Sequence, residues 1–226
     1  YHRVVRIWGQ TILPPVINMT LYFIIFGNLI GRRIGQMDGF DYRQYIAPGL
    51  IMMAVITNSY GNVVSSFFSA KINRHLEEML VAPMSPATIA LGHMVGGIVR
   101  GVLVGLMVAV VARLFTPLPL VHPLITASVF LLCAAIFSLA GLINGILARH
   151  FDDISIIPSF VLQPLTYLGG VFYSITLLPE LAQQLSKLNP ILYIVNAFRY
   201  GMLGVSDIDI GAAFAMMLAS LVVLFV

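Results

Sequence analysis

The sequence predicts an all-α polytopic membrane protein with about six transmembrane helices, and three observations carry that prediction. Of its 226 residues, 59% are hydrophobic and only 9% charged, against about 25% charged in an ordinary soluble domain. The apolar residues form long runs of membrane-spanning length, separated by short loops that hold nearly all the charge. Within the runs glycines recur at every fourth position, as at Gly97, Gly101 and Gly105 or Gly141 and Gly145. That spacing makes a smooth groove in which a neighbouring helix can lie close in lipid.

The net charge of +3 is spread thinly along the chain, which argues against nucleic acid as a partner and suits lipid phosphates and topology. Cys133 is the single cysteine and stands in an apolar run, so no disulfide or thiolate cluster forms within one chain. The chain begins at Tyr1 rather than Met and stops inside an apolar run; both ends read as truncated. The whole, 1–226, reads as a single membrane domain.

Taken in order, Arg3, Arg6 and Trp8 are a basic and aromatic flank suited to a membrane interface. The first span is 11–30, with Pro14 and Pro15 expected to kink it or delay its start. A polar loop, 31–44, leads to the second span, 45–70. There Asn58, Asn62, Ser65 and Ser69 step by four, three and four, which places them on one helical face. Such a stripe serves either hydrogen bonding between helices or the lining of a transport path.

The loop 71–88 reads K-I-N-R-H-L-E-E-M-L-V-A-P-M-S-P-A-T. It contains a short amphipathic helix, with Leu76, Met79 and Leu80 on one side and Glu77 and Glu78 on another. Pro83 and Pro86 end it. It is either a solvated connector or a docking knob for a soluble partner.

The third span, 89–114, carries Arg100 about 16 Å along the helix from Ile89. No acid lies inside a predicted span to pair with it. Asn58, Asn62, Asn144, backbone carbonyls and a lipid headgroup remain as partners, and structural and functional roles stand equal. A proline-rich turn, 116–123, precedes the fourth span, 124–148. In the charged turn 149–153, Asp152 or Asp153 is expected to cap the next helix. The fifth span, 154–168, is expected to be interrupted by Pro158 and Pro164 and broken at Gly169 and Gly170. The stretch 171–189 is too short and mixed to cross twice, and reads as a hairpin that dips in and returns, ending at Pro190. The sixth span is 208–226. Tyr167, Phe172, Tyr173, Tyr193 and Phe198 near the hairpin form either an interfacial belt or a seal.

The chain lacks G-x-x-x-x-G-K-[ST], H-E-x-x-H and G-x-S-x-G, and no His pair has metal-ligand spacing. No catalytic residue, metal site or cofactor is therefore assigned to it. All nine acids fall in loops or at helix ends, so the usual ion-coupling carboxylate of a secondary carrier is missing. A transporter so built needs energy from elsewhere.

Three stretches point to where. L-E-E-M-L-V-A-P-M-S-P…I-A-L-G, the run F-D-D-I-S-I-I-P-S-F-V-L-Q-P-L-T-Y-L-G-G-V-F-Y-S (151–174) and L-N-P-I-L-Y-I-V-N-A-F-R-Y-G (188–201) resemble the permeases of type-2 ATP-binding-cassette (ABC) exporters. Within these the bacterial inner-membrane group called YadH-like is the nearest match. The resemblance covers essentially the whole chain. It implies that the short helix is a coupling helix, with Leu76, Glu77, Glu78, Met79, Leu80 and Pro83 docking in a groove of an ABC ATP-binding subunit. It further implies two copies of that subunit, which would hold ATP and Mg, and a second copy of this chain. Asp152 and Asp153 become a minor cytoplasmic contact. The 171–200 region becomes a re-entrant outer element, with Tyr167, Phe172 and Tyr173 as an outer gate. The N-terminus is placed inside on the resemblance alone, because loop charge does not favour it. Arg3, Arg6, Lys71, Arg74 and Arg149 then lie inside, against Arg32, Arg33, Arg43, Arg113, Lys187 and Arg199 at or near the outer edge.

The expected function is export of an amphiphilic, lipid-, glycan- or drug-like substrate from the bacterial inner membrane, driven by a separate ATPase. A self-sufficient ion-coupled carrier or channel is the alternative, and a membrane-embedded enzyme, with no catalytic constellation, a distant third.

Overall fold

The computed structural model describes residues 13–81 and 85–225. Arg3, Arg6, Trp8, the start of the first span and Pro83 lie outside the described residues. Four helices are long and apolar enough to cross a membrane: α1 (Leu13–Ile34), α2 (Tyr42–Ile72), α4 (Pro86–Phe115) and α5 (Pro123–Leu147). Between α2 and α4 lies the short α3 (His75–Val81). After α5 come α6 (153–168), α7 (Glu180–Ser186), α8 (Pro190–Leu203) and α9 (Ile210–Phe225).

α1 is helical through Pro14 and Pro15 and widens into a π-helical segment, Phe23–Ile30. On that segment the Gly27 carbonyl accepts the Arg43 Nε–H at 3.2 Å, tying α1 to the start of α2. The loop that follows is not wholly irregular. Gln36–Met37 pairs antiparallel with Phe40–Asp41 around Asp38 and Gly39, whose φ angles are +51° and +82°. Positive φ at both turn residues is the hairpin geometry that an Asp-Gly pair favours.

The Asp41 side chain accepts the Arg43 N–H at 2.9 Å and caps α2, which starts three residues before the expected 45 and runs about 46 Å. α2 is the centre of the molecule, its Tyr45–Ile56 segment almost wholly buried. Glycines of α4 and α5 explain the closeness of the packing. A Cβ at Gly97 would strike Val63 and Ser138, one at Gly101 would strike Ser59, and one at Gly141 would meet the Tyr60 carbonyl oxygen at 2.5 Å. Val104, Val108, Phe130, Ala134 and Val195 complete the main core, and Val63, Phe67, Met94, Leu139 and Leu142 form a second cluster towards α3.

Ser85 caps α4 by accepting the Thr88 N–H at 3.2 Å, with Pro86 at the first helical position. α4 therefore begins three residues before the expected Ile89. At the far end of α5, the Lys71 ammonium donates to the carbonyls of Ile146 and Ala148 at 2.7 and 2.8 Å, a cation satisfying orphan carbonyls at a helix C-terminus.

α6 corrects one expectation. Its prolines do not interrupt it. Asp153–Ile157 passes through a π-helical turn, Pro158–Leu162, into Gln163–Leu168 with right-handed helical backbone at each junction. The wider turn accommodates the residue that cannot donate to the regular ladder. The break falls only at Gly169 and Gly170, the latter with φ of +71°. The expected cap is also corrected. Asp152 makes no side-chain cap bond, and the Asp153 carboxylate turns back to accept the N–H groups of Arg149 and His150 at 2.7 and 2.9 Å.

The region 171–200 holds a 3-10 turn (Ile175–Leu177), α7 and most of α8. α8 is about 21 Å long, short of the ~30 Å hydrocarbon layer, and is buried along most of its length. Asn189 caps α8 and donates its Nδ2–H to the Leu165 carbonyl of α6 at 2.6 Å. α9 begins at Ile210, two residues into the expected sixth span.

Candidate transport path and docking helix

A cavity of about 530 Å³ lies between α1, α2 and α6, with Asn18, Thr57, Asn58, Gln163 and Thr166 among its lining residues. Thr57, Asn58 and Thr166 donate to carbonyls one turn back, at 2.7 to 2.9 Å, so their donors are satisfied within their own helices. Both helices with π-helical segments, α1 and α6, line this cavity. Such turns gather at functional sites.

Beside the cavity stands an aromatic cluster. The Tyr22 and Tyr167 hydroxyls are hydrogen-bonded at 3.0 Å, and Tyr167 stacks on Phe172 with centroids 6.0 Å apart. Phe172 lies 4.5 Å from Phe26 and 5.9 Å from Tyr22. The structure thus joins Tyr167 and Phe172 of the expected gate and adds Tyr22 and Phe26, which sequence reasoning missed. Tyr173 stands apart, its hydroxyl donating to the Leu168 carbonyl at 3.1 Å. Tyr193 bonds the Lys187 carbonyl at 2.9 Å, and Phe198 stacks on Phe130 in the core.

The stripe on α2 does share one face. Asn58 lines the cavity, Asn62 is half-buried, and Ser65 and Ser69 are exposed. Asn62 Oδ1 accepts the Arg100 Nη1–H at 3.1 Å. One turn towards α3, Ser66 and His93 Nδ1 are 3.3 Å apart, and His93 meets Phe67 edge-on.

α3 follows Arg74, whose φ is +60°, and nothing on it is fully buried. Its residues divide. Leu76 packs against the second core cluster, and Met79 lines a cavity of about 260 Å³ with Thr88, Ile89, Gly92 and His93. Glu77, Glu78, Leu80 and Val81 are exposed, Leu80 at 58% and Val81 at 89%. Met79 thus faces the bundle and Val81, unnamed in the sequence reading, faces out. Lys71 keeps the turn at 149–153 beside this end of the bundle. There His150 Nδ1 lies 3.7 Å from Asp153 Oδ2, a contact that is an ion pair only when the imidazole is protonated. The N–H groups of Arg149 and then His150 hold the Asp153 carboxyl below its ordinary value.

Arg199 was read from sequence only as an outer-edge charge. It is fully buried, 4.0 Å above the Tyr45 ring, and donates to the Gly170 carbonyl at 2.6 Å. Asn196 beside it accepts the Asp207 N–H at 3.1 Å, and the Asp207 carboxylate accepts the Ser174 hydroxyl at 2.8 Å and the Ile175 N–H at 3.1 Å. This network pins the break after α6 to α8. Among the described residues no three His, Cys, Asp or Glu side chains converge as a metal site would require.

The family model for ABC-2 type transporters matches residues 1–203. The chain belongs to the ABC-2 type transporter family. The inner membrane transport permease YadH of Escherichia coli (strain K12) is 55% identical over 224 residues, 99% of this chain and 88% of that protein. Nodulation protein J of Rhizobium leguminosarum bv. viciae is 23% identical over 195 residues, 86% of this chain and 75% of that protein. Nodulation protein J of Rhizobium meliloti (strain 1021) is 22% identical over 202 residues. The resemblance read from three stretches of sequence is therefore correct, including the YadH-like group. With its apolar helices, this ABC-2 chain is a multi-pass permease of the inner membrane. It is the membrane subunit of an ABC transporter and works with an ATP-binding partner.

Proposed function

We propose that the chain is one of two identical membrane subunits of an exporter, carrying an amphiphilic, lipid-, glycan- or drug-like substrate out of the cytoplasm or the inner leaflet. α1, α2, α4, α5, α6 and α9 are its six spans. α7 and α8 are a re-entrant outer element, and two ATP-binding subunits carrying ATP and Mg dock on α3. The observation that carries this reading is the cavity between α1, α2 and α6, mostly apolar but with Asn18, Asn58 and Gln163 in its lining, flanked by the Tyr22–Tyr167–Phe172 cluster. The few amide and hydroxyl groups in this recess suit a headgroup, and its apolar walls suit a chain.

Closure of the two ATPases pulls on α3, and the helices joined to it move as a unit. Glu77 and Glu78 face outward, where they pair with basic groups on the ATPase while Leu80 and Val81 fill its groove. The acids at 152 and 153 make a smaller contact beside them.

The test is co-purification of the solubilised permease with its ATPase from native membranes. Glu77→Lys with Glu78→Lys, with insertion unchanged, lowers the recovered ATPase about tenfold or more, the equivalent of about 1.4 kcal/mol of lost charge-assisted contact. An undiminished ATPase sinks the docking assignment. A folded permease that arrives alone and transports unaided makes it an ion-coupled carrier instead.

A further inference from the structure

Arg100 sits at the middle of α4, about 21 Å along the helix from Pro86 and about 22 Å from Phe115. A guanidinium stays charged at any physiological pH, and in the middle of a span that charge needs a partner. Its one hydrogen bond goes to Asn62 Oδ1, a neutral acceptor, at 3.1 Å. Nε is shielded from solvent and has no partner, and among the described residues no carboxylate lies within ion-pair distance of the guanidinium. Arg199 shares the unpartnered Nε but differs otherwise: it is wholly enclosed and lies on the Tyr45 ring and the Gly170 carbonyl. Arg100 is half-buried and opens to the outside of the bundle.

The ground beside it is open. One turn towards α3, a Cβ at Gly96 would meet only Asn62 Nδ2, at 3.7 Å, and one at Gly92 would meet nothing within 4 Å. Gly96 and Gly92 therefore form an exposed shelf of backbone, continuing to the small cavity of Met79, Thr88 and His93. In the other direction Asn58, one turn from Asn62, lines the larger cavity. Arg100 reaches across from α4 to Asn62, on the α2 face that also carries Asn58 and Ser65.

We infer that Arg100 and Asn62 form a recognition site for the anionic headgroup of an amphiphile, a phosphate or carboxylate whose two oxygens take the guanidinium fork while its chains lie against the apolar flank of α4. This rests on reading the polar face of α2 as the substrate route, and it narrows the substrate class to acidic amphiphiles. A planar fork of donors matches such a group in two parallel hydrogen bonds, and the surrounding low dielectric strengthens each.

Native mass spectrometry of the detergent-solubilised permease, titrated with phosphatidylglycerol and separately with phosphatidylcholine, tests this directly. Arg100→Gln lowers phosphatidylglycerol retention about tenfold, as loss of one charge-assisted contact predicts. Phosphatidylcholine retention stays unchanged, and Arg100→Lys keeps part of the preference. Should Arg100→Gln fail to insert, Asn62→Leu takes its place, with a smaller loss of the same selectivity. Equal retention of both lipids by wild type, or an undiminished preference in Arg100→Gln, overturns the site and assigns the cation to a protein partner. A second arm separates a transported amphiphile from a resident lipid. In vesicles of phosphatidylethanolamine and phosphatidylglycerol holding permease and ATPase, ATP-driven transfer of labelled phosphatidylglycerol that Arg100→Gln abolishes marks a cargo. Selective binding with no ATP-driven transfer keeps the anion site and fails the export of that lipid.

Discussion

Gly101 lies so close to Ser59 that no side chain fits between α4 and α2. Gly101→Val must push the two helices apart, and overpacking of this kind costs about 1–3 kcal/mol. Thermal unfolding of the solubilised permease should fall by about 2–4 °C for each kcal/mol; an unchanged midpoint would mean the seam is slack. Asp153 answers to pH in a definite direction. Its folded value lies below the ordinary 3.8, held there by two backbone N–H groups. What it contributes to the 149–153 turn is therefore complete above 3.8 and is lost as pH falls through the lower, folded value. Asp153→Asn should give faster amide exchange at Arg149 and His150 at neutral pH, and acid should add little to it.

At the scale of elements, α3 exposes Leu80 and buries no side chain fully, whereas Cys133 on α5 is wholly enclosed. A maleimide should label Leu80→Cys rapidly and leave Cys133 untouched. Adding the ATP-binding subunit should protect Leu80→Cys if the helix docks as proposed, and unaltered labelling would place the docking surface elsewhere. The long helices were legible because twenty apolar residues in a row have one use, and the short helix α3 because its charges and apolar residues alternate between two such runs. Periodicity also put Asn58 and Asn62 on one face. Other features left weaker marks. Met37-Asp38-Gly39-Phe40 carries the Asp-Gly hairpin signal, which was overlooked within a loop read only as polar. The continuity of α6 was illegible, because a proline announces a missing donor and not the π-helical turn that absorbs it. Tyr22 meets Tyr167 across 145 positions, a pairing that no local pattern records. Arg199 looked like a surface charge because sequence does not show the Tyr45 ring above it.

For the whole molecule, α2 is wrapped by α4, α5 and α8, with the Gly97, Gly101 and Gly141 approaches leaving backbone nearly against backbone. At those glycines the packing is solid, while an apolar cavity of about 810 Å³ opens elsewhere between α2, α4, α5 and α8. The bundle cannot dilate at the glycine contacts, since any widening there would open dry gaps among close-packed helices. The proposed route therefore lies beside these contacts, in the cavity that α2 shares with α1 and α6. Opening then means drawing α1 or α6 away from a stiff α2. The resistance to be overcome is the adhesion at that edge, where Tyr22 meets Tyr167, not the stability of the glycine-packed core.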